Sequence, residues 1–176
     1  MSGHNKWSKI KHKKGAEDAK RSKIFSKLSL LITSESKKVN GDTSSPSLAT
    51  AISTAKKENM PKDTIEKAVK KGTDSGTAAL DSITYEAYGP GGCAIIIESL
   101  TDNKNRAAAE VRHTLSKAGY ELATPGAAAW AFERKNMEWL PTSTIGLNES
   151  DGDKLGDLID NLEDLDDVQE VFTNAE

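Results

Sequence analysis

The apolar residues Ile24, Phe25, Leu28, Leu31 and Ile32 recur at helical spacing, which predicts an amphipathic helix from Ala16 to about Lys38. Lys20, Lys23 and Lys27 share a neighbouring face of that helix. Gly41-Asp42 ends it, and Ser45-Pro46 opens a second helix, with Ser45 as N-cap and Pro46 at the first helical position. Leu48, Ala51, Ile52 and Ala55 form its apolar stripe. A third helix follows Asn59-Met60-Pro61, with Asp63 and Glu66 at capping-box spacing and Gly72 just past its Lys70-Lys71 end. Three amphipathic helices in succession imply a small helical bundle over residues 1–72, basic on its outside.

Residues 73–82 (TDSGTAALDS) lack periodicity and read as a linker. The pattern then changes to short β runs alternating with helices. Tyr85 to Tyr88 can pair as an extended segment before the turn Gly89-Pro90-Gly91-Gly92, and Ala94 to Ser99 (AIIIES) has the β-branched character of a buried strand. Ala108, Val111, Leu115 and Ala118 share one face of a helix from Asn105 to Lys117, stopped by Gly119. Ala128 to Arg134 alternates, with Trp130 and Phe132 on the same side, and Lys135-Asn136 suits a hairpin turn into a strand from Met137 to Leu147. Pro141 within that strand argues for an edge or a bulge. Leu155, Leu158, Ile159, Leu162 and Leu165 mark a last helix, and Val168 to Phe172 a last strand. The expected class is therefore α+β: a three-helix bundle, then a β-α-β-β-α-β run over residues 83–176 in the order of a ferredoxin-like domain.

The overall charge of −3 hides a polar distribution along the chain. Residues 1–72 carry a net +10 and the remainder −13. A basic module that seeks a polyanion is joined to an acidic one that the same partner would repel. No apolar run is long enough to cross a membrane, and the single cysteine, Cys93, leaves no internal disulfide framework. A cytoplasmic protein is the expectation, with the mitochondrial matrix as the alternative. The acid-poor opening resembles a transit leader, but lysine dominates it where such leaders favour Arg and Ser.

That opening, MSGHNKWSKIKHKKG, interleaves Lys6, Lys9, Lys11, Lys13 and Lys14 with Trp7, His4 and His12, and contains no acidic residue. Lysines neutralise phosphates and release counterions, and an exposed tryptophan offers a flat face to a base. The plainer reading is a solubilising tail with Trp7 folded against the bundle. His4 and His12 have no Cys or carboxylate partner nearby, so no metal site is expected; phosphate hydrogen bonds are. Candidate contacts to nucleic acid are thus His4, Lys6, Trp7, Lys9, Lys11, His12, Lys13, Lys14, Lys20, Arg21, Lys23 and Lys27. The loop Thr101-Asp102-Asn103-Lys104-Asn105-Arg106 stands at a helix start, where Asn103, Asn105 and Arg106 could form a second anion or partner contact; capping by Asp102 or Asn103 explains it equally well. No catalytic constellation is expected, because Cys93 leads directly into a buried strand and His113 is the only histidine beyond the opening. No cofactor is expected either.

GHNKWSKIKHKKG, DAKRSKIFSKL, NMPKDTIEKAVKKG, YEAYGPGG and TDNKNRAAAEVRH, in this order, resemble the YebC/PmpR family, which includes mitochondrial translational activators of cytochrome c oxidase. The resemblance is dense over residues 1–135 and resumes over LPTSTIGL and LEDLDDVQEVFTNA. It implies a helical N-terminal domain and two α/β domains, the middle one inserted between the strand ending in FERK and the strand with the Pro-Thr segment. Here almost nothing joins Arg134 to Trp139, so the chain reads as a short form without that insertion, near 135–139. Members are described as DNA-binding transcriptional regulators, and others as ribosome-associated translation factors that relieve stalling or activate particular messages. The helices are rich in Lys and poor in the Arg, Asn and Gln that read the major groove, which tilts the physical reading toward structured RNA such as ribosomal RNA. A protein-interaction or small-molecule sensing module is the reading from a different class.

Overall fold

The computed structural model describes residues 17–176. Among these residues the chain divides into two compact units, 17–80 and 81–176, each with its own core.

The first unit is three helices: α1 (Glu17–Lys38), α2 (Pro46–Lys57) and α3 (Lys62–Thr73). The expected stripes meet in its core, where Leu28, Ile32, Leu48, Ala51, Ala55, Met60, Ile65 and Ala68 are buried. Contacts between α1 and α3 ascend both helices together, so these two run in the same direction. The Thr33 hydroxyl donates to the Ala68 carbonyl (3.1 Å), the Ser36 hydroxyl to that of Val69 (2.6 Å), and Gly41 faces Thr73. Gly72 lies inside α3 rather than past its end. A Cβ there would stand 2.5 Å from the Ser36 Cβ and 2.6 Å from the Thr33 carbonyl, so close approach of the two helices, not a turn, requires this glycine. The expected capping box is also replaced. Pro61 occupies the N-cap of α3 with no side-chain bond, and Glu66 instead pairs with Lys62 at 3.5 Å. Ser45 is the N-cap of α2 through its backbone alone, its carbonyl accepting the Ala49 N–H at 2.9 Å.

The second unit is mixed α/β: β1 (Asp81–Tyr88), β2 (Ala94–Thr101), α4 (Lys104–Lys117), β3 (Leu122–Ala123), β4 (Phe132–Lys135), β5 (Glu138–Pro141), α5 (Glu149–Glu163) and β6 (Val168–Thr173). The run β-α-β-β-α-β is present in sequence, but its strands divide between two sheets. One has the order β3-β1-β2-β6, antiparallel throughout; β4 and β5 pair only with each other. The position beside β2 goes to β1, whose eight residues match β2 one for one across the Gly89–Gly92 link, starting at Asp81 inside the expected linker. β5 stops at Pro141, which has no N–H to extend the ladder.

The alternation of strand residues decides what covers each face. Ala87, Ile95, Ile97, Val168 and Val171 meet Val111 and Leu115 of α4 and Leu155, Leu158, Ile159 and Leu162 of α5. Ala94, Ile96 and Phe172 on the opposite face meet Ala128, Ala131, Phe132 and Trp139. The β4–β5 hairpin is thus a third layer, lying on the sheet instead of extending it. Its connection is two residues long, Asn136 and Met137, both at positive φ (51° and 70°), as the tightest hairpin turns demand.

Candidate nucleic-acid interface

His4, Lys6, Trp7, Lys9, Lys11, His12, Lys13 and Lys14 lie outside the described residues. The remaining candidates of the first unit stand on α1. Lys20 and Arg21 are exposed and Lys23 and Lys27 half-buried, and the three lysines follow one side of the helix. The Arg21 guanidinium lies 5.9 Å from the centre of the Phe25 ring, which orients it across the apolar edge of the helix. Lys20, Lys23 and Lys27 each have interaction partners. Around them the surface of the unit remains lysine-rich, with Lys56, Lys57, Lys62, Lys67, Lys70 and Lys71 all exposed. These exposed cations of α2 and α3 belong to the same unit as the α1 candidates but are not among the residues that the sequence predicts for the site. Their helical phase, opposite to Ile65, Ala68 and Gly72 in α3, was the available signal.

Asn103 and Arg106 are engaged internally. Asn103 is the N-cap of α4, its side-chain oxygen accepting the Arg106 N–H at 3.1 Å. The Arg106 guanidinium donates to the carboxylates of Asp167 (2.9–3.2 Å) and Asp102 (2.8 Å), and these bonds hold its pKa above the ordinary arginine value. Asp167 is itself buried and also accepts the Thr101 hydroxyl at 3.0 Å. This cluster fastens the start of α4 to the end of the sheet. Asn105 is exposed on the first turn of α4.

On the opposite sheet face two carboxylates hold the 126–141 segment. Glu86 accepts the backbone N–H groups of Gly126 (2.6 Å), Ala128 (2.7 Å) and Ala129 (2.8 Å). Burial raises its pKa, but the three N–H groups outweigh burial and leave it below the ordinary carboxylate value. Glu98 accepts the Trp139 indole N–H (2.6 Å) and the Thr84 hydroxyl (3.0 Å), with Arg134 at 3.9 Å. The Glu86 clamp bends residues 129–131 into a single 3-10 turn, so Trp130 does not share the side of Phe132 as strand alternation suggested. Phe132 is buried and Trp130 is 63% exposed. The Trp130 indole N–H donates to the Tyr88 hydroxyl at 2.9 Å, and that hydroxyl donates to the Ala127 carbonyl, so two solvent-facing aromatic rings are tied together.

Cys93 is fully buried, and burial pushes its thiol pKa up, away from nucleophilic character. His113 is exposed on α4. Among the described residues no group of His, Cys, Asp and Glu is arranged to hold a metal ion, and no helix is long and apolar enough to cross a membrane.

Residues 5–75 match the family model described as the TACO1/YebC protein N-terminal domain, and residues 80–137 and 135–175 match that of the TACO1/YebC second and third domain. The two latter stretches meet at the tip of the β4–β5 hairpin. A probable transcriptional regulatory protein of Desulfatibacillum aliphaticivorans is 58% identical over 137 residues, covering 77% of this chain and 56% of that protein. Another, from Petrotoga mobilis, is 54% identical over 147 residues, covering 82% and 59%. The chain therefore spans less than two thirds of the length of these relatives. A third, from Desulfosudis oleivorans, is 38% identical over an alignment of 237 positions that covers 99% of this chain and 96% of the relative. Since this chain has 176 residues, that alignment contains positions of the relative with no counterpart here. The crystal structure of a conserved hypothetical protein, Aq1575 from Aquifex aeolicus, superposes with a TM-score of 0.80 at 32% identity over 95% of each chain.

Proposed function

The chain belongs to the TACO1/YebC family, and from that premise we propose that it is a non-enzymatic, nucleic-acid-binding regulator of gene expression whose lysine-rich helical unit and N-terminal segment grip phosphates. The carrying observation is the separation of charge: a net +10 over residues 1–72 against −13 over the rest. Phosphodiesters are attracted to the first and repelled by the second, which orients the protein on a polyanion. Lys6, Lys9, Lys11, Lys13, Lys14, Lys20, Arg21, Lys23 and Lys27 supply the affinity, His4 and His12 add hydrogen bonds, and Trp7 stacks on a base.

Regulatory naming among the relatives agrees with this reading. Within it, structured RNA on the ribosome is the second target beside duplex DNA. The exposed surface of α1, α2 and α3 is dominated by lysine and contains few of the side chains that pair with base edges, which favours recognition by shape and phosphate. In this reading the mixed unit orients the helical one or contacts a protein partner, and the two-residue β4–β5 turn marks where a middle domain is omitted. With about six phosphates engaged, log affinity for duplex DNA falls against log salt with a slope of about −5. A complex indifferent to salt rejects the mechanism. Ultraviolet crosslinking in cells, with recovery of both RNA and DNA, separates the targets: ribosomal RNA with little DNA rejects promoter binding.

A further inference from the structure

We infer that the C-terminal half of α3 is a second phosphate-binding surface, formed by Lys67, Lys70 and Lys71 and made of residues other than the candidates of the N-terminal segment and α1. The inference rests on the nucleic-acid reading above and assigns it a new set of contacts.

Lys67, Lys70 and Lys71 are exposed, and their spacing of three and four residues places them together on one helical turn, opposite the buried Ile65, Ala68 and Gly72. Three ammonium groups at this spacing repel one another, a local cost that an anion removes. Among the described residues none of the three pairs with a carboxylate, although Asp63 and Glu66 stand one turn earlier; Glu66 turns back to Lys62 at 3.5 Å.

Lysines in a last helical turn have an ordinary explanation, which is compensation of the unsatisfied carbonyls and the negative end of the helix dipole. At α3 hydroxyls meet part of that need. The carbonyls of four successive residues accept hydroxyls: Ala68 from Thr33 (3.1 Å), Val69 from Ser36 (2.6 Å), Lys70 from Thr73 (2.7 Å) and Lys71 from Thr77 (2.6 Å). The ammonium groups are not drawn down to the helix end and remain directed to solvent. The last-turn lysines of α1 differ: Lys37 donates to the Thr77 carbonyl and Lys38 to the Glu35 carboxylate at 2.6 Å. Glu35 is buried, so Lys38 is committed to neutralising it. Gly72 seats the helix directly against Ser36 and Thr33 of α1. A row of cations without a carboxylate partner among the described residues fits the regularly spaced charges of a sugar–phosphate backbone, whichever sugar it carries.

The test uses the full chain with lysines 67, 70 and 71 all replaced by Gln, a good helix former that removes charge and little else. Binding is measured by fluorescence anisotropy to a duplex DNA of about 20 base pairs and to a hairpin RNA of similar length, across a salt series. Far-UV circular dichroism confirms that the helices persist, and a Lys→Arg triple variant restores the charge. The expected result is a salt slope shallower by about 2 to 3 and an affinity lower by roughly a hundredfold near 0.1 M salt, with the Arg variant close to the parent. The nucleic acid whose slope changes is the one this surface holds. If the parent binds with a steep slope and the Gln variant keeps it, the α3 surface is rejected while the broader reading stands. If the parent binds neither probe, both fall together.

Discussion

In the helical unit the groups that fasten one element to another are hydroxyls and a glycine; in the mixed unit they are carboxylates. Thr33 and Ser36 reach from α1 to carbonyls of α3, and Gly72 lets the two backbones close. Glu86 and Glu98, by contrast, hold the 126–141 segment on the sheet, and Asp167 anchors α4 through Arg106. Lys56, Lys57, Lys62, Lys67, Lys70 and Lys71 of the helical unit lie exposed on its surface, while Lys37 and Lys38 bond within it. Several acids of the mixed unit are turned inward and serve its own backbone. Net charge alone therefore overstates how similar in kind the two units are: the basic surface is offered outward, whereas part of the acidic total is structural.

Four measurements can break or sharpen this contrast. The largest effect is expected from Gly72→Val, whose added methyls overlap Ser36 and Thr33; overpacking of this kind costs about 3 kcal/mol. Urea melts followed by helical circular dichroism should shift, while emission from Trp139 in the mixed unit should not. Loss of both signals together would show that the two units do not depend on separate fastenings.

Next comes Glu86→Ala, which strips a charged acceptor from three N–H groups and costs about 2 to 3 kcal/mol. Faster amide exchange at Gly126, Ala128 and Ala129, with α1 and α3 unchanged, is the expected pattern. Unchanged exchange at those three amides would remove Glu86 from its clamping role.

The same residue predicts an acid response confined to one unit. Its folded-state pKa lies below the ordinary value, so its stabilisation is complete at neutral pH and is lost as pH falls through the ordinary carboxylate range to the lower folded value. Below that value both states are protonated and the contribution is gone. A pH series should loosen the Trp130 environment in that window, and Glu86→Gln should flatten the response. The smallest effect is a gain. Met137 at φ 70° sits where glycine is favoured, and Met137→Gly should raise stability by about 0.5 kcal/mol once the greater freedom of the unfolded glycine is counted. A thermal melt unchanged or lowered would mean that Met137 packing outweighs its backbone conformation.

Where a segment reports on its own periodicity, the sequence made it legible. The stripes of α1, α2, α4 and α5 and the β-branched run at Ile95–Ile97 appear in the expected elements, because burial of an apolar face dominates their placement, although Ile24 and Ala118 are exposed and Ala107 takes the buried place expected of Ala108. What failed was decided by partners distant in sequence. Gly72 near Lys70-Lys71 carries the local signature of a helix end, yet it lies inside α3 and packs closely on Ser36 and Thr33 of α1. Trp130 alternates correctly with Phe132 for a strand, but Glu86 draws the intervening backbone into a turn. The sequence predicts the hairpin as a pair of strands, the second running from Met137 to Leu147, where the observed strand ends at Pro141. The hairpin's position on top of the sheet depends on Ile96, Phe172 and Glu98, which no local pattern connects to Trp139.

The lysines of the candidate interface divide in the same way. Those of α1 stand out by their spacing, whereas the hydroxyls bonded to the carbonyls of residues 68–71 in α3 show no local pattern. Those bonds could be learned only from Thr33, Ser36, Thr73 and Thr77 in place.

The turn at Asn136-Met137 has a consequence for how such chains change over generations. Lys135 and Glu138 face each other as a strand pair, so the backbone leaves β4 and enters β5 at almost one point in space. A genetic event that removes or adds a whole in-frame segment there leaves the flanking register, the sheet face beneath and both cores in place. Gain and loss of a module at that joint is therefore a one-step change that selection can test without first repairing the fold around it.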